Sequence, residues 1–331
     1  MGNLRSLPKA HLHLHLEGSI RSRTLAEIAN RHHLELPACA RDGYRFRDFA
    51  DFNLQYRAIR ACLQDAQDFR RIAFELCQDE SAQGVRYAEV TFTLGAHAPR
   101  LGSWELPLES VLEGLAEGEQ AFGIKSRLII DHGRSRPIEL AWDALRTALR
   151  YRNRGVVGFG LGGDEKHPPE QFADVFHAAV DEGLHSVPHA GEITGPASIR
   201  GAVTALRAER IGHGISALDD ETLVHELKAR GIALEVCLSS NVAIPARVPS
   251  IERHPLPDLM AAGLIVTINS DTPAIFSAPL ASEYHLARTT FGLDDRALAG
   301  LARASVDASF ADDDTKASIR LEIDRWLDQS R

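Results

Sequence analysis

The stretch His11-Leu12-His13-Leu14-His15-Leu16-Glu17-Gly18 decides how the chain folds. Polar and apolar residues alternate without a break from His11 to Leu16. In a β-strand successive side chains point to opposite faces. His11, His13 and His15 therefore share one face, and Leu12, Leu14 and Leu16 the other. Imidazoles two apart on a strand, aimed into one cavity, are the start of a zinc site, because neutral imidazole suits Zn²⁺ and reaches it at about 2.0–2.1 Å. A His-rich tag fragment is the competing reading. It fits poorly, since the stretch ends in Leu-Glu-Gly and runs straight into an amphipathic helix. That helix carries Leu25-Ala26-Glu27-Ile28-Ala29, and Ser19 stands where an N-cap is expected.

Outward from this strand, Ala10–Leu16, short apolar segments alternate with longer amphipathic ones. Strands are expected at Val85–Phe92, Lys125–Asp131, Val156–Leu161, Leu184–His189, Arg210–His213, Ile232–Cys237 and Leu264–Asn269. Helices are expected at Pro107–Phe122, Pro137–Arg152, Pro169–Glu182, Ala197–Leu206, near Asp220–Arg230 and near Leu256–Ala262, with a helical tail from Leu280. Residues Tyr44–Arg71 carry Phe46, Phe49, Phe52, Tyr56 and Phe69 at helical spacing and contain no strand. They read either as a core-facing helix pair or as an apolar lid over a pocket. Eight strands, mostly with a helix between each pair, fit an α/β fold of the (β/α)₈ TIM-barrel type better than a doubly wound sheet. Extra helices follow the first strand and end the chain. No linker or composition shift divides residues 1–331, so a single domain is expected.

Composition sets limits. Hydrophobic content of 44% and charged content of 25% over 331 residues suit a globular enzyme with a large core. With 37 basic against 46 acidic side chains, the net charge of −9 argues against nucleic-acid or membrane-surface partners. The four cysteines form no CxxC pair and imply no disulfide framework. No signal-peptide pattern and no apolar run long enough to span a membrane is present, so the cytoplasm is the expected compartment.

In a barrel of this kind chemistry sits at the C-terminal strand ends. His13 and His15 lie on the first strand, Gly163-Asp164-Glu165 follow the fourth, His189 ends the fifth, His213 the sixth, and Asp271 follows the eighth. Such a recurrence at one end of a barrel is not coincidence. The motifs HLHLEGS, GGDE, HAGE, RIGHG, EVCLSSN and NSDTP occur in that order. As a set they resemble the adenosine/adenine deaminase family of the amidohydrolase superfamily, from Leu7-Pro8-Lys9 to the C-terminal helix.

The resemblance implies one zinc ion per chain held by His13, His15, His189 and Asp271, with water completing the shell. It makes His213 the residue that orients and deprotonates that water. It makes Glu192 the acid that protonates purine N1 as C6 is attacked, and Gly163 the backbone N–H that meets N3. Two alternatives stay open: Glu192 as a hydrogen-bonding partner of the metal ligands, and His213 as a further nitrogen ligand. Fe²⁺ or Mn²⁺ in place of zinc also stays open. His11, one layer deeper, is expected to be structural. Asp164 and Glu165 are expected only to hold their loop.

Two positions depart from the family pattern. Thr272 stands where the family carries a second Asp for purine N7; its hydroxyl can donate but carries no charge. Glu17 stands where adenosine-preferring members carry the Asp associated with the ribose 5′-hydroxyl. Both count against plain adenosine and toward adenine, N6-modified adenine or a nucleoside altered at its 5′ position. The motif set as a whole implies hydrolytic deamination of a 6-aminopurine nucleoside, adenosine or a form altered at its 5′ position or at N6, giving the 6-oxo product and ammonia. The alternatives are deamination of free adenine, of N6-substituted adenine or of another aminated heterocycle, and, less favoured, non-catalytic purine binding. The expected partner is thus a small purine, and the sequence leaves the oligomeric state open.

Overall fold

The computed structural model describes residues 2–329; the other three positions of the expected domain lie outside the described residues. Eight parallel strands follow one another in chain order: β1 Lys9–His15, β2 Val85–Phe92, β3 Lys125–Gly133, β4 Val156–Gly162, β5 His185–Ala190, β6 Arg210–His213, β7 Ala233–Val236 and β8 Val266–Ile268. This is the expected (β/α)₈ barrel. Strand limits differ from the sequence reading by one or two residues, because neighbours across the sheet, not local composition, decide where pairing stops. Leu12, Leu14 and Leu16 are buried in the apolar layer under the helices, while the rings of His13, His189 and His213 meet inside the barrel.

The seam between β8 and β1 is closed largely by side chains and by residues just past β8. Asn269 Oδ1 accepts the backbone N–H groups of Leu12 and His13 at 3.0 and 3.1 Å. Past it, Asp271 N–H donates to His13 O at 3.0 Å, and His15 N–H donates to Asp271 O at 2.8 Å. His11 is built into the same seam. Its Nε2 accepts Ser270 N–H at 3.0 Å, which leaves Nδ1–H to donate to Glu80 at 2.7 Å. The helix Asp295–Ala308 lies over the joint, and Ser305 Oγ accepts Ala10 N–H.

Four helices intervene between β1 and β2: α1 Ser22–Arg31, α2 Ala38–Asp42, α3 Phe49–Arg60 and α4 Ala66–Ala82. Ser19 does not cap α1 as expected. It lies in a 3₁₀ turn, where its Oγ donates to His15 O at 2.7 Å, and the helix begins beyond Arg21. The caps of α3 and α4 are aspartates: Asp48 and Asp65 accept the N–H groups of Asp51 and Asp68. The aromatic stretch divides between its two readings. Phe69 on α4 is core, against Phe92 and His97. Phe49, Phe52 and Tyr56 on α3 face a cleft.

Near the opposite end of the barrel from that cleft, Arg210 is fully buried. It donates through Nε to Glu235 at 2.6 Å, through Nη2 to Glu89 and through Nη1 to Ala308 O at 2.9 Å, and it lies over the Phe310 ring. No helix among the described residues is long and apolar enough to cross a membrane. Removing one partner of a buried ion pair strands the other charge, at about 3–5 kcal/mol. Arg210→Met is therefore expected to lower the unfolding free energy by roughly that amount in urea melts; a change under about 1 kcal/mol would contradict this account.

Candidate active site

The strand ends open into a cleft of about 270 Å³ whose floor includes His15, Asp131, His189, Glu192, His213 and Asp271. His13 stands just beneath. Its Nδ1 lies 2.9 Å from Glu235, and its Nε2 is buried without a hydrogen-bond partner. With Nδ1–H given to the carboxylate, the neutral ring presents a lone pair at Nε2. His15 Nε2 lies 3.0 Å from His189 Nε2 and 3.4 Å from Asp271 Oδ1, which in turn lies 3.9 Å from His13 Nε2. Ser240 Oγ donates to the other Asp271 oxygen at 2.6 Å. Ligand atoms of His13, His15 and Asp271 thus lie within 4.8 Å of one another, His189 joins them through His15, and His13, His189 and His213 form a second such trio. A buried lone pair with no partner and two imidazole nitrogens facing each other are a donor set that a divalent cation satisfies.

The backbone there is shaped for this convergence. His213 and Asp271 adopt left-handed conformations, φ 64° and 60°. Such residues cost on the order of 1–3 kcal/mol each and cluster at functional sites. A Cβ on Gly212 would come within 2.7 Å of His13 Cε1, so only glycine leaves room for that ring.

Burial separates the protonation states. Burial lowers the pKa of His15 and, helped by the neighbouring imidazoles, pushes that of His189 far down, leaving both neutral as ligation requires. Burial also works against a charged His13, but Glu235 and Asp271 outweigh it and raise its pKa. Glu192 moves the other way. Burial first, then the charges of Asp271 and Glu165, raise its pKa well above the carboxylate range. Its Oε1 is buried without a partner, a setting that favours the neutral carboxyl.

A chain of hydrogen bonds sets the orientation of His213. Leu256 N–H donates to His254 Nδ1 at 3.1 Å, so neutral His254 carries its proton on Nε2, which donates to Asn241 Oδ1 at 3.2 Å. Burial holds His254 at a pKa of about 4, so it stays neutral. Asn241 Nδ2 then donates to His213 Nδ1 at 3.0 Å. His213 is left with its proton on Nε2, 3.5 Å from Glu192.

Gly163 and Thr272 lie on the cleft wall, Gly163 at φ +91° and Thr272 with a buried hydroxyl free of partners. Glu17, expected at the substrate, is not on that wall. His97 Nε2 bonds its carboxylate at 2.9 Å behind it. Glu165 does more than hold a loop: its carboxylate accepts the N–H groups of Gly191, Glu192 and Ile193 at 2.8–3.0 Å.

Sequence reasoning missed Asp131, Glu235, Asn241 and His254, and on α3 it raised Phe49, Phe52 and Tyr56 as a lid but missed Asn53, Arg57 and Arg60. A carboxylate ending LIID and another inside the apolar strand ALEV were signals for the first two. For α3 the signal was one helix face, Phe49, Phe52, Asn53, Tyr56, Arg57 and Arg60.

The chain is similar to known proteins along nearly its whole length. The family model described as adenosine deaminase matches residues 8–326. The aminodeoxyfutalosine deaminase of Streptomyces avermitilis is 40% identical over 98% of this chain and 92% of its own. The adenine deaminase structure from Arthrobacter aurescens superposes with a TM-score of 0.92 at 34% identity, over 97% of this chain and 99% of that one. An amidohydrolase structure from Burkholderia ambifaria, with bound Zn, gives 0.91 at 26% identity, over 98% and 92%.

Loss of the carboxylate that orients a ligating histidine weakens metal binding roughly 10–100-fold. Glu235→Gln is expected to show that loss in chelator competition, and His15→Ala to abolish stoichiometric binding. Undiminished affinity in both would mean that the ion is held elsewhere.

Proposed function

The chain belongs to the adenosine deaminase family, and on that premise we propose that it is a zinc-dependent aminohydrolase converting a 6-aminopurine nucleoside to its 6-oxo product and ammonia. The observation that carries this reading is that His13, His15 and Asp271 offer ligand atoms to one point, with His189 against His15 and Glu192 lining the same cleft. His13, His15, His189 and Asp271 would hold a zinc ion, which would supply a nucleophile at neutral pH by lowering the pKa of bound water from 15.7 to roughly 7.

The chain's own groups do the rest. Glu192 passes its proton to purine N1, which draws electron density from C6 and makes that carbon electrophilic. His213 orients the attacking water with its Nε2–H. As long as Nδ1 accepts from Asn241, deprotonating the water would require the imidazole to release that amide. The Gly163 N–H meets ring N3, where a side chain would block the approach. The unpartnered Thr272 hydroxyl donates to N7. Glu17 bonds His97 through one carboxylate oxygen and keeps the other unpartnered for the ribose side of the substrate. Glu165 positions Glu192 by gathering the N–H groups around it. Free adenine is the second reading, favoured by the likeness to the Arthrobacter enzyme.

The test is ammonia release with loss of substrate absorbance from zinc-loaded protein, across adenosine, deoxyadenosine, adenine, N6-alkyl adenines and 5′-modified adenosines. A positioned general acid contributes roughly 10²–10⁴-fold. Glu192→Gln is expected to lose that much in kcat while keeping its zinc. Intact zinc-loaded protein silent across the whole panel would overturn the proposal.

A further inference from the structure

Three guanidinium groups border the cleft: Arg57 and Arg60 from α3, and Arg136 from the loop after β3. Arg57 is exposed and the other two are half-buried, so they stand at the rim while the ligand cluster is buried. Most arginines of this acidic chain lie against carboxylates, as Arg70, Arg71 and Arg200 do. Among the described residues, none of the three rim arginines has a carboxylate within 4 Å. Arg60 instead lies over the Tyr56 ring at 4.6 Å, and Arg136 Nη1 donates to Gly95 O at 3.0 Å. Burial, then the charges of Arg60 and Arg57, lower the Arg136 pKa, with Asp131 opposing them. Asp131 and Glu17 attract Arg60 only from beyond bonding distance.

A guanidinium presents a fork of N–H donors that matches phosphate and carboxylate oxygens. Three unpaired forks around one opening form a site for an anion. Ring geometry says where that anion is attached. With C6 at the ligand cluster and N1 at Glu192, purine N9 lies on the far side of the bicycle, and its substituent points toward the rim.

We propose that the substrate carries an anionic group, phosphate or carboxylate, on the ribose side of the purine, held by Arg57, Arg60 and Arg136. This inference rests on the deaminase reading for the orientation of the ring. The α3 face adds Phe49 and Phe52 beside the arginines, an apolar wall for the atoms between the ribose and the charge.

The test compares kcat/KM for adenosine 5′-carboxylate with its neutral carboxamide, and for adenosine 5′-phosphate with adenosine. Charge-assisted bonds predict an advantage of at least tenfold for the anion, shrinking as salt rises. In the Arg57→Gln/Arg136→Gln double variant the ratio is expected to fall toward one, and Arg57→Lys/Arg136→Lys to restore part of it. A larger advantage for phosphate identifies a nucleotide, and a larger one for carboxylate an acidic 5′ extension; either supports the proposal. A ratio of one or less in both pairs would overturn it. Calorimetric binding of inosine 5′-phosphate against inosine keeps the two proposals separable. If nothing is deaminated, the deaminase reading falls, and this binding ratio alone still decides for or against the anion site.

Discussion

The hydrogen bond between His13 and Glu235 ties the chemistry of the cleft to the stability of the barrel. Glu235 spends one oxygen on His13 and the other on Arg210. Arg210 in turn bonds Glu89, whose second oxygen accepts Phe310 N–H at 2.6 Å. Every charge in this row is buried, and a buried charge is tolerable only when its partners are in place. Moving Glu235 to suit a different imidazole angle would strand Arg210; moving Arg210 would strand two carboxylates. The ring angle and tautomer of His13 are therefore over-determined from below.

The other side of the site is held by the barrel's own closure. Asp271 is one residue past the Asn269–Ser270 pair that stitches β8 to β1, and its backbone bonds both His13 and His15. The carboxylate cannot drift from the imidazoles without opening the seam. This is how a left-handed aspartate is kept in place: its strain is opposed by hydrogen bonds that also close the fold. Gly212 plays the complementary part by leaving space for the His13 ring, so bonds and voids specify the same geometry.

Much of this was legible in the sequence, and physics says which part. Residues at strand tips betray themselves locally, because a histidine or aspartate ending an apolar run interrupts a short-range pattern. His13, His15, His189, His213 and Asp271 all do so. Glu235 and Arg210 interrupt theirs too, but their meaning lies in partners 222 and 121 residues away in sequence, His13 and Glu89. No local pattern encodes such pairs. The relay from His254 through Asn241 to His213 depends on which amide atom faces which ring, and only coordinates give that. Ser19 misled for a related reason: its hydroxyl had a nearer acceptor, His15 O, than the helix it seemed placed to cap. The bond of Glu17 Oε1 to His97, 80 residues along the chain, was likewise beyond any local pattern.

The cleft then divides its electrostatic work by depth. Burial raises the pKa of Glu192 and also that of Asp131, so the floor disfavours unpaired negative charge. Toward the rim, solvent returns and guanidinium groups keep their charge at any working pH. Contacts made there are remote from C6 and change little as the reaction proceeds. By themselves they strengthen ground state and transition state alike, which lowers KM more than it raises kcat. In the proposed reaction, contacts at N1, N3 and N7 would sit where charge develops and would act on kcat. A substitution at the floor and one at the rim therefore differ in kind: the first removes chemistry, and the second changes which molecule is brought to it.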